Sequence, residues 1–75
     1  MPKRDPVLTA FGQNVRKRRE ARRFTQEVLA ERAELDRPYI SDIERGTQNP
    51  GVKNVARLAK ALSTSTAQLM EDVGK

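Results

Sequence analysis

The sequence predicts an all-α domain of five short helices, on three observations. Apolar residues recur at helical spacing throughout the 75-residue chain, and no useful length alternates as a strand would. Glycine and proline are sparse, falling at Pro2, Pro6, Gly12, Pro38, the stretch GTQNPG at 46–51, and Gly74. Two helical patterns, QEVLAERA and RPYISDIER, lie so close together that they must cross steeply. A chain this short makes one small domain, and its core is thin because such domains bury only about 60% of their unfolded surface.

Helix 1 is expected from about Pro6 to Arg22. Asp5 suits its N-cap and Pro6 its first position. Val7 or Leu8, then Phe11 and Val15, form its apolar stripe, which Gly12 weakens slightly. The run RKRREARR places cations at the negative end of the helix dipole. Helix 2 is QEVLAERA, capped by Thr25, with Leu29, Ala30 and Ala33 inward and Glu27 and Glu31 outward. Helix 3 is RPYISDIER. Asp36 is its cap, Pro38 sits in its first turn, Ile40 and Ile43 face inward, and Gly46 ends it in the left-handed conformation. Helix 4 covers about Val52–Leu62, with Val55, Leu58, Ala59 and Leu62 on one face. Helix 5 covers about Thr66–Asp72, capped by Ser65 and anchored by Leu69.

Composition narrows the function classes. There is no cysteine, so disulfides and thiolate metal sites are excluded, and no histidine, so the commonest general base and metal ligand is missing. No Gly-rich phosphate loop or metal-loop carboxylate spacing occurs, so neither an enzyme, a cofactor nor a bound metal is expected. The start, MPKRDPVLTAFGQ, has no long apolar run, which predicts neither signal peptide nor membrane span and a cytoplasmic location. The net charge of +5 is uneven: +6 over residues 1–24, −3 over 25–46 and +2 over 47–75. Such a balance suits a polyanion such as nucleic acid, and equally a solvated basic face.

The acidic middle stretch holds the strongest pattern. Over the twenty residues from Gln26 to Arg45, small or apolar residues stand wherever a crossing helix pair needs them: Leu29, Ala30, Ala33, Leu35, Ile40 and Ile43. Ala30 fits the crossing point, and the geometry is that of a helix-turn-helix. An ordinary helical hairpin is the plainer alternative. From FGQNVRKRREARRFTQEVLAERAELDRPYISDIERGTQNPGVKNVARLAKALSTSTAQLM, about residues 11–70, the chain resembles the lambda-repressor-like helix-turn-helix family of the Cro/C1 or Xre type. LDRPYISDIERG followed by NP looks most like the small controller proteins of restriction–modification systems and similar stand-alone regulators. The resemblance implies a five-helix fold in which 1–10 are an N-terminal arm and the start of helix 1, 11–70 the DNA-binding domain, and 71–75 a tail. Three positions where that family usually has glycine carry Arg23, Glu34 and Ser63, so each adopts positive φ at some cost or uses another turn. Arg18 stands where leucine is frequent, and Thr64 where valine is usual.

DNA bases are read by side chains near the start of a helix lying in the major groove. Arg37 is there, and arginine can donate two parallel bonds to guanine. The dipole disfavours a cation at that end, so a functional reason outweighs a merely exposed arginine. Tyr39, Ser41 and Asp42 are expected outward on the same or an adjoining face, with Asp42 accepting from cytosine or buttressing Arg37. Phosphate contacts are expected from Thr25, Gln26, Arg45, Thr47, Gln48 and Asn49, although the last three also suit a plain polar turn. The family resemblance assigns the phosphate role to Gln26 and implies an ion pair between Arg19 and Glu44. Val52, Met70 and Val73 exceed what the core needs and suggest a homodimer interface, or they finish the core. Taken together, the expectation is a regulator binding a two-fold operator in double-stranded DNA as a dimer. An antitoxin-type protein-binding module and a non-specific basic nucleic-acid binder are the rivals.

Overall fold

The computed structural model describes residues 5–75, so the first four residues of the expected N-terminal arm lie outside the described residues. Five helices follow one another: α1 Pro6–Ala21, α2 Gln26–Ala33, α3 Arg37–Arg45, α4 Val52–Ala61 and α5 Thr66–Leu69. No strand occurs among the described residues, and no helix there is long and apolar enough to cross a membrane. One core joins all five. Phe11 and Val15 come from α1, Leu29, Ala30 and Ala33 from α2, and Ile40 and Ile43 from α3. Leu58, Ala59, Leu62 and Leu69 close it from α4 and α5. At the start of α1 the stripe uses half-buried Leu8, whereas Val7 is exposed.

Local signals explain most helix starts. The Asp5 carboxylate accepts from the Val7 amide at 2.8 Å, and the Thr25 hydroxyl from the Val28 amide at 3.1 Å. Ser65 and Gln68 form a reciprocal capping box on α5. Asp36 has the extended backbone of an N-cap but makes no side-chain cap bond, so its expected capping role is positional only. α5 ends at Leu69, three residues earlier than the pattern suggests. The Asn14 amide of α1 donates to the carbonyls of Leu69 and Glu71 at 2.9 and 2.8 Å, satisfying groups that a longer helix would use internally.

The ends of α1 to α4 share one solution. Arg23, Glu34, Gly46 and Ser63 all have positive φ, at 58°, 58°, 78° and 53°. The amide that follows each reaches back five residues: Phe24 to Arg19, Leu35 to Ala30, Thr47 to Asp42 and Thr64 to Ala59, at 2.8–3.1 Å. This closure normally favours glycine. Three of the four ends therefore carry left-handed strain of about 1–2 kcal/mol each, offset by the turns that it allows.

α1 packs tightly against the end of α3. A Cβ on Gly12 would lie 2.2 Å from the Ile43 carbonyl oxygen and 2.8 Å from that of Glu44. A Cβ on Gly46 would meet Thr9 at 2.8–3.0 Å. Gly12 thus costs α1 helix propensity and in exchange lets two backbones touch. Gly12→Ala should force the helices apart and destabilise by about 3 kcal/mol or more. Gly51→Ala, where a Cβ meets nothing within 4 Å, should shift stability by about 1 kcal/mol at most. Urea midpoints compare the two, and equal midpoints would contradict the close contact.

Candidate nucleic-acid interface

The α2–α3 link is short because Glu34 takes the left-handed conformation and Leu35 closes the turn onto Ala30. Ala30 is buried at the crossing, as its small size requires. This places α3 across α2 with Arg37 at its exposed start. Arg37 has no carboxylate within 4 Å among the described residues. Its guanidinium is therefore available to an outside acceptor.

The neighbouring side chains differ from one another more than helical position suggests. Ser41 is half-buried. Tyr39 does not simply point outward: its ring packs on the core, and its hydroxyl accepts from the Asn54 amide of α4 at 2.9 Å. The hydroxyl keeps its own proton for an outside acceptor. Asp42 does not buttress Arg37 either. Its carboxylate pairs with Arg45, one turn on, which neutralises charge that would otherwise repel phosphate. Arg45 is correspondingly less free for a phosphate than its exposure suggests. Thr47 donates its hydroxyl to the Asp42 carbonyl at 3.1 Å, so that proton is committed within the loop. Gln48 and Asn49 have no side-chain hydrogen bond among the described residues. Asn54 was not a candidate in the sequence, and no local signal marks it.

Beneath this face, Arg19 and Glu44 meet at 2.7 Å and 3.1 Å in a two-bond pair, with side chains only 13% and 4% exposed. Arg19 also donates to the Phe24 carbonyl at 2.8 Å. The hydrogen bond to Glu44 raises the Arg19 pKa above its ordinary value, against the opposing effect of burial. Gln26 joins the pair, its amide donating to Glu44 at 3.1 Å. One amide hydrogen and the backbone N–H of Gln26 remain at the start of α2, where a phosphate is favoured. Thr25 beside it accepts from Val28 and keeps its hydroxyl proton. Glu27, Glu31 and Glu34 are exposed.

Residues 15–69 match the helix-turn-helix family model. The chain belongs to the Cro/C1-type helix-turn-helix family. It is 44% identical over 66 residues to the control protein C.BamHI of Bacillus amyloliquefaciens, covering 87% of this chain and 82% of that protein. It is 40% identical over 68 residues to the control protein C.SmaI of Serratia marcescens, covering 91% and 81%. The crystal structure of the restriction-modification controller protein C.AhdI from Aeromonas hydrophila superposes with a TM-score of 0.81 at 40% identity, covering 83% of this chain and 94% of that one. These relatives are transcription regulators, not enzymes, and the chain is a DNA-binding regulator of the same family.

The ion pair underlies a direct stability prediction. Removing Glu44 leaves a nearly dry guanidinium unpaired, so Glu44→Ala should destabilise by about 3–5 kcal/mol. Glu31→Ala, on the exposed side of α2, should cost about 0.5 kcal/mol or less. Chemical denaturation checks this, and indistinguishable midpoints would contradict a structural role for the pair.

Proposed function

We propose that the chain regulates transcription by binding a two-fold operator as a homodimer, in the manner of a restriction–modification controller. The observation that carries this is Arg37. It opens the second helix of a helix-turn-helix, exposed and in no ion pair among the described residues, at the end of the helix where the dipole opposes a cation. Such a residue destabilises the free fold and repays that only against an acceptor such as a guanine edge. Ser41 and, through its remaining proton, Tyr39 are the secondary contacts, and Asp42 acts mainly through Arg45. Thr25, Gln26, Gln48 and Asn49 supply the phosphate contacts. Arg45 shares itself between phosphate and Asp42, and Thr47 shapes the loop.

Size supports the dimer. The domain is 31 Å in its longest dimension and presents one recognition helix, which suits one half-site. Val52 is 88% exposed and Met70 43% exposed, an apolar surplus that a second copy would cover. Val73 packs partly on the core and contributes less. The site selected from random duplexes should be an inverted repeat with half-sites about 34 Å apart and two chains bound by native mass spectrometry. A non-repeated site holding one chain would overturn the dimer.

Arg37→Ala should leave thermal stability unchanged or slightly raised. It should weaken operator binding by about 1–3 kcal/mol per half-site and relax preference at one guanine. Gln26→Ala should instead weaken selected and random DNA alike, because a phosphate contact carries no sequence information. Titrations against single-base operator variants at fixed salt separate the two. An equal loss on every sequence for Arg37→Ala would make it a phosphate contact.

A further inference from the structure

A groove lies where the C-terminal ends of α1, α2 and α4 converge. Its volume is about 500 Å³, and Arg22, Arg32, Arg57 and Lys60 line it over Ala33 and Ala61, with Glu34 as the one acid. Glu34 comes within ion-pair distance of none of the four among the described residues. Two of the cations have structural work. Arg22 and Arg32 flank the Phe24 ring at 5.6 and 4.7 Å from its centre, and Arg22 donates to the Leu62 carbonyl at 3.4 Å. Arg57 and Lys60 are exposed on α4 and have no such partner among the described residues. The helix dipoles account for some positive charge at these ends, but not for four cations crowded around one open groove.

Three features favour one occupant. First, the groove lies at the C-terminal ends of α2 and α4, whereas the proposed phosphate donors Thr25 and Gln26 stand at the start of α2, about 12 Å away along that helix at 1.5 Å per residue. That exceeds the screening length of about 8 Å in physiological salt, so charge bound at one end of α2 is largely screened from the other. Second, the converging helix ends offer carbonyls rather than amides, so an anion there is held by the side-chain cations alone. Third, the four cations come from the ends of three helices, Arg22 after α1, Arg32 from α2 and Arg57 and Lys60 from α4, which suits several carboxylates of one chain, each held by a charge-assisted bond. We propose that this groove docks an acidic, extended segment of a partner protein while the domain is on DNA. The groove itself is independent of the operator assignment; its being open on DNA rests on that assignment.

The test is backbone-amide NMR of the full chain titrated with a ten-residue poly-glutamate peptide, first free and then saturated with its selected duplex. Shifts should cluster at residues 32–34 and 57–63 in both states. Arg57→Ala/Lys60→Ala should weaken the peptide about tenfold and leave duplex affinity within twofold. Arg16→Ala/Lys17→Ala, which removes the same charge from α1, should weaken the peptide less than twofold. Equal losses in the two double variants would reduce the effect to net charge and overturn the proposal. So would displacement of the peptide by duplex, or a tenfold loss of duplex affinity in the groove variant, either of which makes the groove a DNA contact. Loss of self-association in the groove variant, seen by sedimentation, would assign it to a second copy. The titration of the free chain needs no operator, so failure of the dimer–operator assignment leaves that arm readable.

Discussion

The Arg19–Glu44 pair is the constraint on which the rest of the domain depends. Arg19 lies near the end of α1, Glu44 near the end of α3, and Gln26 at the start of α2 donates to the same carboxylate. Three helices therefore meet at one nearly dry charged node. Desolvation cancels much of the Coulomb gain in such a pair, so its contribution is geometric more than energetic. It sets where α3 sits relative to α1, and Gly12 and Gly46 allow the two backbones to approach that closely. Because Gln26 shares Glu44, the proposed phosphate donor is oriented by the same contact that seats the recognition helix.

This node resolves why the best-patterned stretch of a basic chain is acidic. Of the acids between residues 25 and 46, Glu44 is consumed inside and Asp42 is paired with Arg45. Glu27, Glu31 and Glu34 are exposed on α2 and its cap. Asp36 and Arg37, side by side at the exposed start of α3, make no ion pair among the described residues, so a cationic side chain is available at the proposed contact although the segment is negative overall.

Much of this was legible in the sequence because the signals are local. Helical periodicity placed all five helices, and Asp5, Thr25, Ser65 and Gly46 marked their ends through caps whose chemistry lies within five residues. What was not legible depends on distant partners. α5 stops early where Asn14, 55 residues away, donates to the Leu69 carbonyl and Asp72 takes positive φ. Tyr39 and Asn54 are 15 residues apart, and nothing on a helical wheel separates a tyrosine turned to α4 from one turned to solvent. Arg23, Glu34 and Ser63 showed where strain was possible, but only the packed helices determine that each takes positive φ rather than another turn. Gly12 looked like a weak point in α1 because its contact belongs to α3.

The most direct measurement is a double-mutant cycle on the central pair by urea denaturation, using Arg19→Met and Glu44→Met. A buried pair leaves a costly orphan when either side is lost, whereas two apolar side chains leave none. The double variant should therefore be more stable than at least one single variant, with a coupling of about 2 kcal/mol or more. Additive effects, with no coupling beyond about 0.5 kcal/mol, would contradict the view that this contact seats the recognition helix.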